Sequence, residues 1–147
     1  MEDIDKELLD LPLNLYRSAI SIRSEITRRL SNAFGEEFTA DYWFVLNYIV
    51  HHQPVAINNL AKLMGRDKGS ISRTVNCMER IDLICRSVNP ANKKSVLISV
   101  TNVAQQFMEK AEVEIKSVVE NSLGAFRPIE MLELNRMLQT IVANMIE

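Results

Sequence analysis

The stretch from Val55 to Thr101 constrains this chain more than any other. It reads VAINNLAKLMGRDKGSISRTVNCMERIDLICRSVNPANKKSVLISVT, and its apolar residues change period partway along. Leu60, Ala61, Leu63 and Met64 recur at helical spacing, as do Ile71, Val75, Met78 and Ile81, with Gly65-Arg66-Asp67 between the two sets. The first set fits a helix of about two turns and the second a helix of about four. After Leu83 the period shortens to two. Ile84, Arg86 and Val88 alternate with Leu83, Cys85 and Ser87, and Val96, Ile98 and Val100 with Leu97 and Ser99, as in paired strands. Asn89-Pro90-Ala91-Asn92-Lys93-Lys94 lies between them, polar, proline-punctuated and basic at its tip. Helix, turn, helix and hairpin, in that order, are the elements of a winged helix-turn-helix.

The second helix has a face suited to DNA. At about 100° per residue, Val75, Met78, Thr74 and Asp67 fall on the side of Ile71. The opposite side carries Gly69, Arg73, Asn76 and Arg80, flanked by Ser70, Ser72 and Cys77. In a major groove, small residues admit the backbone, hydroxyls and amides read base edges, and arginine grips guanine or phosphate. The alternative is a solvated helix, whose exposed face usually mixes both charge signs; here Glu79 points well away from the stripe.

Charge is distributed to match. The chain of 147 residues carries a net charge of only −2. From Val55 to Val100, eight basic residues (Lys62, Arg66, Lys68, Arg73, Arg80, Arg86, Lys93, Lys94) face three acids (Asp67, Glu79, Asp82), a net of 8 − 3 = +5. The rest is −2 − 5 = −7. A basic module in an acidic frame confines attraction for phosphate to one surface.

Cys77 and Cys85 form neither a metal-ligand spacing nor a disulfide framework, which fits a reduced, cytoplasmic protein. The acidic start MEDIDKELLDLP is no signal peptide, and no run approaches the roughly 18 apolar residues of a membrane span. No phosphate-binding glycine loop, HExxH, CxxC or spaced Ser/His/acid set is visible, so an enzyme has no motif behind it and neither catalytic nor metal residues, nor any cofactor, are expected. His51 and His52, adjacent on a helix end, diverge by about 100° and suit a helix terminus better than a metal.

Helices flank the module. Leu13 to Phe34 reads as one long amphipathic helix (Leu15, Ala19, Ile22, Ile26, Leu30, Ala33) stopped by Gly35, with the acidic residues before Pro12 as a frayed or separately packed lead-in. Thr39 is placed to cap a helix from Ala40 to about Val50, with Trp43, Leu46, Tyr48, Ile49 and Val50 inward and Asp41 suited to its first turn. Thr101 caps a helix from Asn102 to about Leu123, with Val103, Phe107, Ala111, Ile115, Val118 and Val119 as its stripe. Arg127-Pro128 opens the last helix, whose apolar residues (Ile129, Leu132, Leu134, Met137, Leu138, Ile141, Val142, Met145, Ile146) cover too wide an arc for a terminal helix in a chain this small. Such an arc is expected to meet a second subunit; the alternative is packing within the chain. The fold expected is mainly α with a small β-hairpin wing: one domain, 1–147, in which 38–101 is the DNA-binding module and 1–37 plus 102–147 a helical dimerisation region.

Colinear segments across the chain resemble the MarR family of bacterial transcription regulators. They are Phe38-Thr39 through Trp43-Phe44-Val45-Leu46, Leu60-Ala61, Gly65 through Arg73, Met78-Glu79-Arg80, Leu83-Ile84, and Val96 through Thr101. The resemblance implies a dimer made by terminal helices, recognition helices in successive major grooves, wings in adjacent minor grooves, and a cleft for small aromatic or phenolic ligands. The chain departs from the family pattern at four places. Asn92 and Lys94 stand where the wing usually has Asp and Arg, and lysine lacks the planar fork that suits a narrow groove. Asp82 stands where a glycine usually ends the recognition helix, Ala104 replaces another glycine, and Ala56 is a poor cap for the first helix of the motif. The first helix lacks the cysteine through which some members sense oxidants. Cys77 is placed to gate binding if Arg73 or Arg80 favours its thiolate, against the plainer reading that it is merely small.

The function expected is a DNA-binding regulator, a repressor, acting as a homodimer on a pseudo-palindromic duplex and released by a small ligand. Ser70, Ser72, Arg73 and Asn76 are the expected groove contacts, and Arg66, Lys68, Arg80, Asn92, Lys93 and Lys94 the phosphate or wing contacts. Tyr16, Arg23, Tyr42 and His51, with Tyr48, are the polar helix residues available to line a ligand cleft. The rival function is a winged helix that binds protein and no longer reads DNA.

Overall fold

The computed structural model describes residues 2–145; Ile146 lies outside them. Two helices, α1 (Glu2–Leu9) and α2 (Leu11–Phe34), precede α3 (Ala40–His52), β1 (Val55–Ala56), α4 (Ile57–Leu63) and α5 (Lys68–Arg80). The hairpin β2 (Ile84–Asn89) and β3 (Asn92–Val100) follows, then α6 (Asn102–Leu123) and α7 (Pro128–Met145). The acidic lead-in is thus a regular helix, and α2 begins two residues early because Pro12 suits a first turn.

The sheet has three strands rather than the two of a hairpin, in the order β1-β3-β2, all antiparallel. The added strand, Val55–Ala56, pairs with Ile98 and Leu97. In the wing, Ile84, Arg86 and Val88 stand opposite Val100, Ile98 and Val96, the pairing that the two-residue period requires.

One core serves the whole module. Ile71, Val75 and Met78 of α5 meet Leu60 and Ala61 of α4, Val45, Leu46 and Ile49 of α3, and Ile84 and Ile98 of the sheet. The buried face of α3 differs from the one its spacing suggested: Ala40, Asp41 and Tyr42 are inside, while Trp43, Tyr48 and Val50 are half-buried. Thr39 occupies the N-cap without a side-chain bond, and the Thr27 hydroxyl accepts from Ala40 N–H at 2.9 Å instead. Phe34, Phe38, Tyr42 and Phe107 form an aromatic cluster with centroids 4.8–5.8 Å apart, joining α2, α3 and α6. Arg29 spans α2 and α6 by bonding both Glu25 and Glu114. Arg28, with Arg29, draws the Glu25 carboxyl down to about 2.

The outer parts of the long helices face outward. Only Ile26 and Leu30 of α2 are buried; Ala19 and Ala33 are exposed, as are Val103 and Val119 of α6. None of the described residues in α7 is buried, and Leu132, Leu138, Ile141 and Val142 stand open, as do Leu9 and Leu13 near the start of the chain.

The corner between α5 and the wing is tied to α6. Thr101 accepts from Ala104 N–H at 3.1 Å as the expected cap, and its hydroxyl donates to the Asp82 carbonyl. Asp82 itself has φ 63°, the left-handed conformation that glycine tolerates better. Asp82→Gly is therefore expected to stabilise the protein by about 0.5 kcal/mol, relief of strain outweighing the added chain entropy. Urea midpoints at fixed protein concentration test this, and a lower midpoint for the variant would contradict it.

Candidate nucleic-acid interface

The helix α5 is held at its start by Asp67, which lies exposed at the N-cap rather than on the buried side; its carboxylate accepts from Ser70 N–H at 2.8 Å. Gly65, at φ 62°, supplies the turn that brings α5 across α4. With Ile71, Val75 and Met78 anchored in the core, the opposite face presents Lys68, Gly69, Arg73, Asn76 and Arg80 to solvent. Ser72 sits half-buried at its margin. The Arg73 guanidinium lies over Gly69, 3.5 Å from where a side-chain carbon would stand, an ordinary contact distance.

Arg66 and Ser70, expected at phosphate and base, are bonded to each other in the free chain. Arg66 Nη2 donates to Ser70 Oγ at 2.6 Å, and its Nη1 donates to Asp41 Oδ2 at 2.7 Å. Asp41 is buried on α3, and Arg23 of α2 donates to the same Oδ2 at 3.0 Å. Arg23 Nη1 also lies 2.9 Å from Oδ1, at ion-pair distance without hydrogen-bond alignment. One carboxylate thus links the long first arm helix, the core and the turn that precedes α5. Sequence pattern showed Asp41 only as a first-turn acid; an acid among inward-facing neighbours was the available signal.

The wing closes in the two residues Pro90-Ala91, and Lys93 and Lys94 are exposed on β3. Asn89 Oδ1 accepts from Ala91 N–H at 3.0 Å and Asn92 Oδ1 from Lys94 N–H at 3.1 Å. Asn92 therefore braces its own strand, a task an amide performs as well as an acid. At the wing base, Arg86 donates from Nε to Glu79 Oε2 at 3.0 Å and from Nη2 to Asn76 Oδ1. Of the eight basic residues of the module, Arg66 and Arg86 are paired with acids; Lys62, Lys68, Arg73, Arg80, Lys93 and Lys94 make no ion pair among the described residues.

The ligand candidates do not gather. Tyr16 and His51 are exposed, Arg23 is engaged by Asp41, and Tyr42 is buried, which pushes its phenol above its ordinary pKa. Tyr42 borders a shallow cleft of about 240 Å³ with Glu37, Cys77 and Arg80, where Arg80 Nη2 donates to Cys77 Sγ at 3.0 Å. Tyr48 stacks on His52 at 4.2 Å and walls a second cleft with Pro54, Asn59 and Lys62. No two of the four candidates meet in either cleft. Among the described residues no group of three His, Cys, Asp or Glu is placed to hold a metal, and no helix is long and apolar enough to cross a membrane.

By fold and by the face of α5 the chain is a winged helix-turn-helix protein. A family model described as HVO_A0114 matches residues 37–103, the module without most of its arm. The HTH-type transcriptional regulator MgrA of Staphylococcus aureus is 24% identical over 135 residues, covering 90% of this chain and 90% of that protein. A MarR mutant from E. coli complexed with operator DNA superposes with a TM-score of 0.74 at 18% identity, covering 92% of this chain and 95% of that one. CouR from Rhodococcus jostii RHA1 bound to p-coumaroyl-CoA gives 0.76 at 18% identity, covering 90% and 92%. The chain has the fold of the MarR regulators, and the resemblance read from its residues holds over nearly its whole length.

Because two arginines share Asp41, its loss should cost more than the loss of either partner. Asp41→Ala is expected to destabilise the protein by about 2 kcal/mol, less than a fully buried pair because both arginines are partly solvated, and Arg23→Ala by about 1. Equilibrium denaturation measures both, and a cost for Asp41→Ala below about 0.5 kcal/mol would mean the link is an ordinary surface pair.

Proposed function

We propose that the protein is a DNA-binding transcriptional regulator that acts as a homodimer, most simply a repressor, on a pseudo-palindromic operator. The observation that carries this reading is the set of cations without acid partners among the described residues: Lys68, Arg73 and Arg80 on the exposed face of α5, and Lys93 and Lys94 on the wing. A helix anchored on one side and cationic on the other, beside a basic hairpin, suits a major groove flanked by phosphates. Ser72, Arg73 and Asn76 are the proposed base readers. Arg66 and Ser70 serve it as the brace of the helix start, and Asn92 as the brace of the wing.

Dimerisation is supported by α7, none of whose described residues is buried and whose Ile129, Leu132, Leu138, Ile141 and Val142 are exposed, together with Leu8, Leu9 and Leu13. Dimer formation would set the distance between two α5 helices, and only one separation matches successive grooves. A small aromatic ligand that altered the arm would change that distance and release the DNA; the CouR complex with p-coumaroyl-CoA supports such a response. Residues 38–101 are the proposed DNA-binding module and the remainder the dimerisation region.

Mobility shift of the protein on the DNA upstream of its own gene, with random competitor duplex and a salt series, tests the reading. A competitor-resistant complex is expected, and Arg73→Ala should weaken it by about tenfold or more. Absence of binding even at low salt would favour the protein-interaction module instead. Replacing Lys93 and Lys94 with alanine should flatten the log–log salt slope by roughly 0.9 for each phosphate no longer neutralised; an unchanged slope would remove the wing from the interface. For the dimer, Leu138→Glu with Val142→Glu, one helical turn apart, should yield monomers in sedimentation velocity, and an unchanged sedimentation coefficient would place the interface elsewhere.

A further inference from the structure

Asn76 sits on the exposed stripe of α5 between Arg73 and Arg80, and one end of its amide is already occupied. A guanidinium has donors only, so the Asn76 atom facing Arg86 Nη2 must be the carbonyl oxygen Oδ1. The same guanidinium is held from its other side by Glu79, at 3.0 Å from Nε. Glu79 lies three residues beyond Asn76, so both reach Arg86 across the joint between helix and wing. Among the described residues the Asn76 Nδ2 amine has no partner. The amide therefore meets solvent with both N–H donors free and its oxygen turned to Arg86, which takes one of that oxygen's two lone pairs.

This biases which base edge it matches. Recognition of adenine by asparagine uses both ends of the amide: the oxygen accepts from N6 and the nitrogen donates to N7. Guanine presents two acceptors in the major groove, N7 and O6, and requires donors only. We infer that Arg86 is a specificity-determining residue acting through Asn76, holding its oxygen toward the wing and its N–H donors outward so that each half-site carries guanine in preference to adenine opposite Asn76. The inference rests on the DNA-binding function proposed above. Arg86 itself touches no base; it positions and polarises the residue that does.

Selection of duplexes from a randomised pool by the full-length protein, followed by affinity measurements on single-base variants, tests it. The wild type should enrich guanine at one position per half-site, and Asn76→Ala should erase that preference while leaving the other positions intact. Arg86→Met keeps the aliphatic stem but frees Oδ1, and should move the preference at that position toward adenine by about tenfold. Adenine at the Asn76-dependent position in the wild type would overturn the inference. So would an Asn76→Ala selection identical to that of the wild type, or a uniform loss of affinity in Arg86→Met without a change of base. Because Asn76 is exposed, its alanine variant and the wild-type base decide the matter even where Arg86→Met loosens the wing. Failure to enrich any sequence would instead overturn the proposed function, and the inference with it.

Discussion

The carboxylate of Asp41 is the constraint on which the geometry of the reading face depends. A buried acid needs charge and hydrogen bonds to replace water, and here it takes them from opposite directions: Arg23 on the arm and Arg66 in the turn before α5. The second branch of the Arg66 guanidinium then holds Ser70 in the first turn of the recognition helix. Arginine can do this because its planar fork bonds two acceptors at once, which a lysine ammonium at that site would not reproduce. The start of α5 is therefore fixed to the arm as well as to the core. Movement of the arm has a direct route to α5.

A second guanidinium fixes the other end. Arg86 joins Glu79 and Asn76 to the wing, so α5 is clasped near its start by the turn and in its later half by the hairpin. Between these clasps the apolar residues of α5 are seated in the core, leaving Arg73 and Asn76 little freedom except through their own side chains. Such support makes a surface helix rigid, as the proposed reading of a duplex requires. It also divides the basic residues of the module into two groups, those paired with acids and those left without an acid partner among the described residues.

Much of the fold was legible because its signals are local. The change from helical to alternating period at Leu83, the cap at Thr101 and the stop at Gly35 are each set by neighbours in sequence, whereas helical spacing put Asp67 on the buried side and missed it as the cap of α5. What escaped depends on pairing across the chain. The strand Val55–Ala56 is too short to show a period and exists because β3 lies alongside it. Asp41 reads as a helix-start acid until Arg66 is brought to it from 25 residues away. Likewise Ala19, Ala33, Val103 and Val119 obey the helical spacing of a buried stripe, yet the helices carrying them extend beyond the core of one chain. In the candidate interface, Arg73, Asn76 and Arg80 lie on the exposed face, as their angular positions on a helix require. Angular position could not reveal that Arg66 and Ser70 bond each other, or that Asn76 shares its amide with the wing.

The most direct test is a hydroxyl-radical footprint of the protein on a bound operator. Two equivalent protected half-sites are expected, with centres one helical turn, about 10–10.5 base pairs, or a whole multiple of that apart, each flanked by minor-groove protection from a wing. A single protected patch, or protection without helical phasing, would contradict a dimer presenting two braced recognition helices to one face of the duplex.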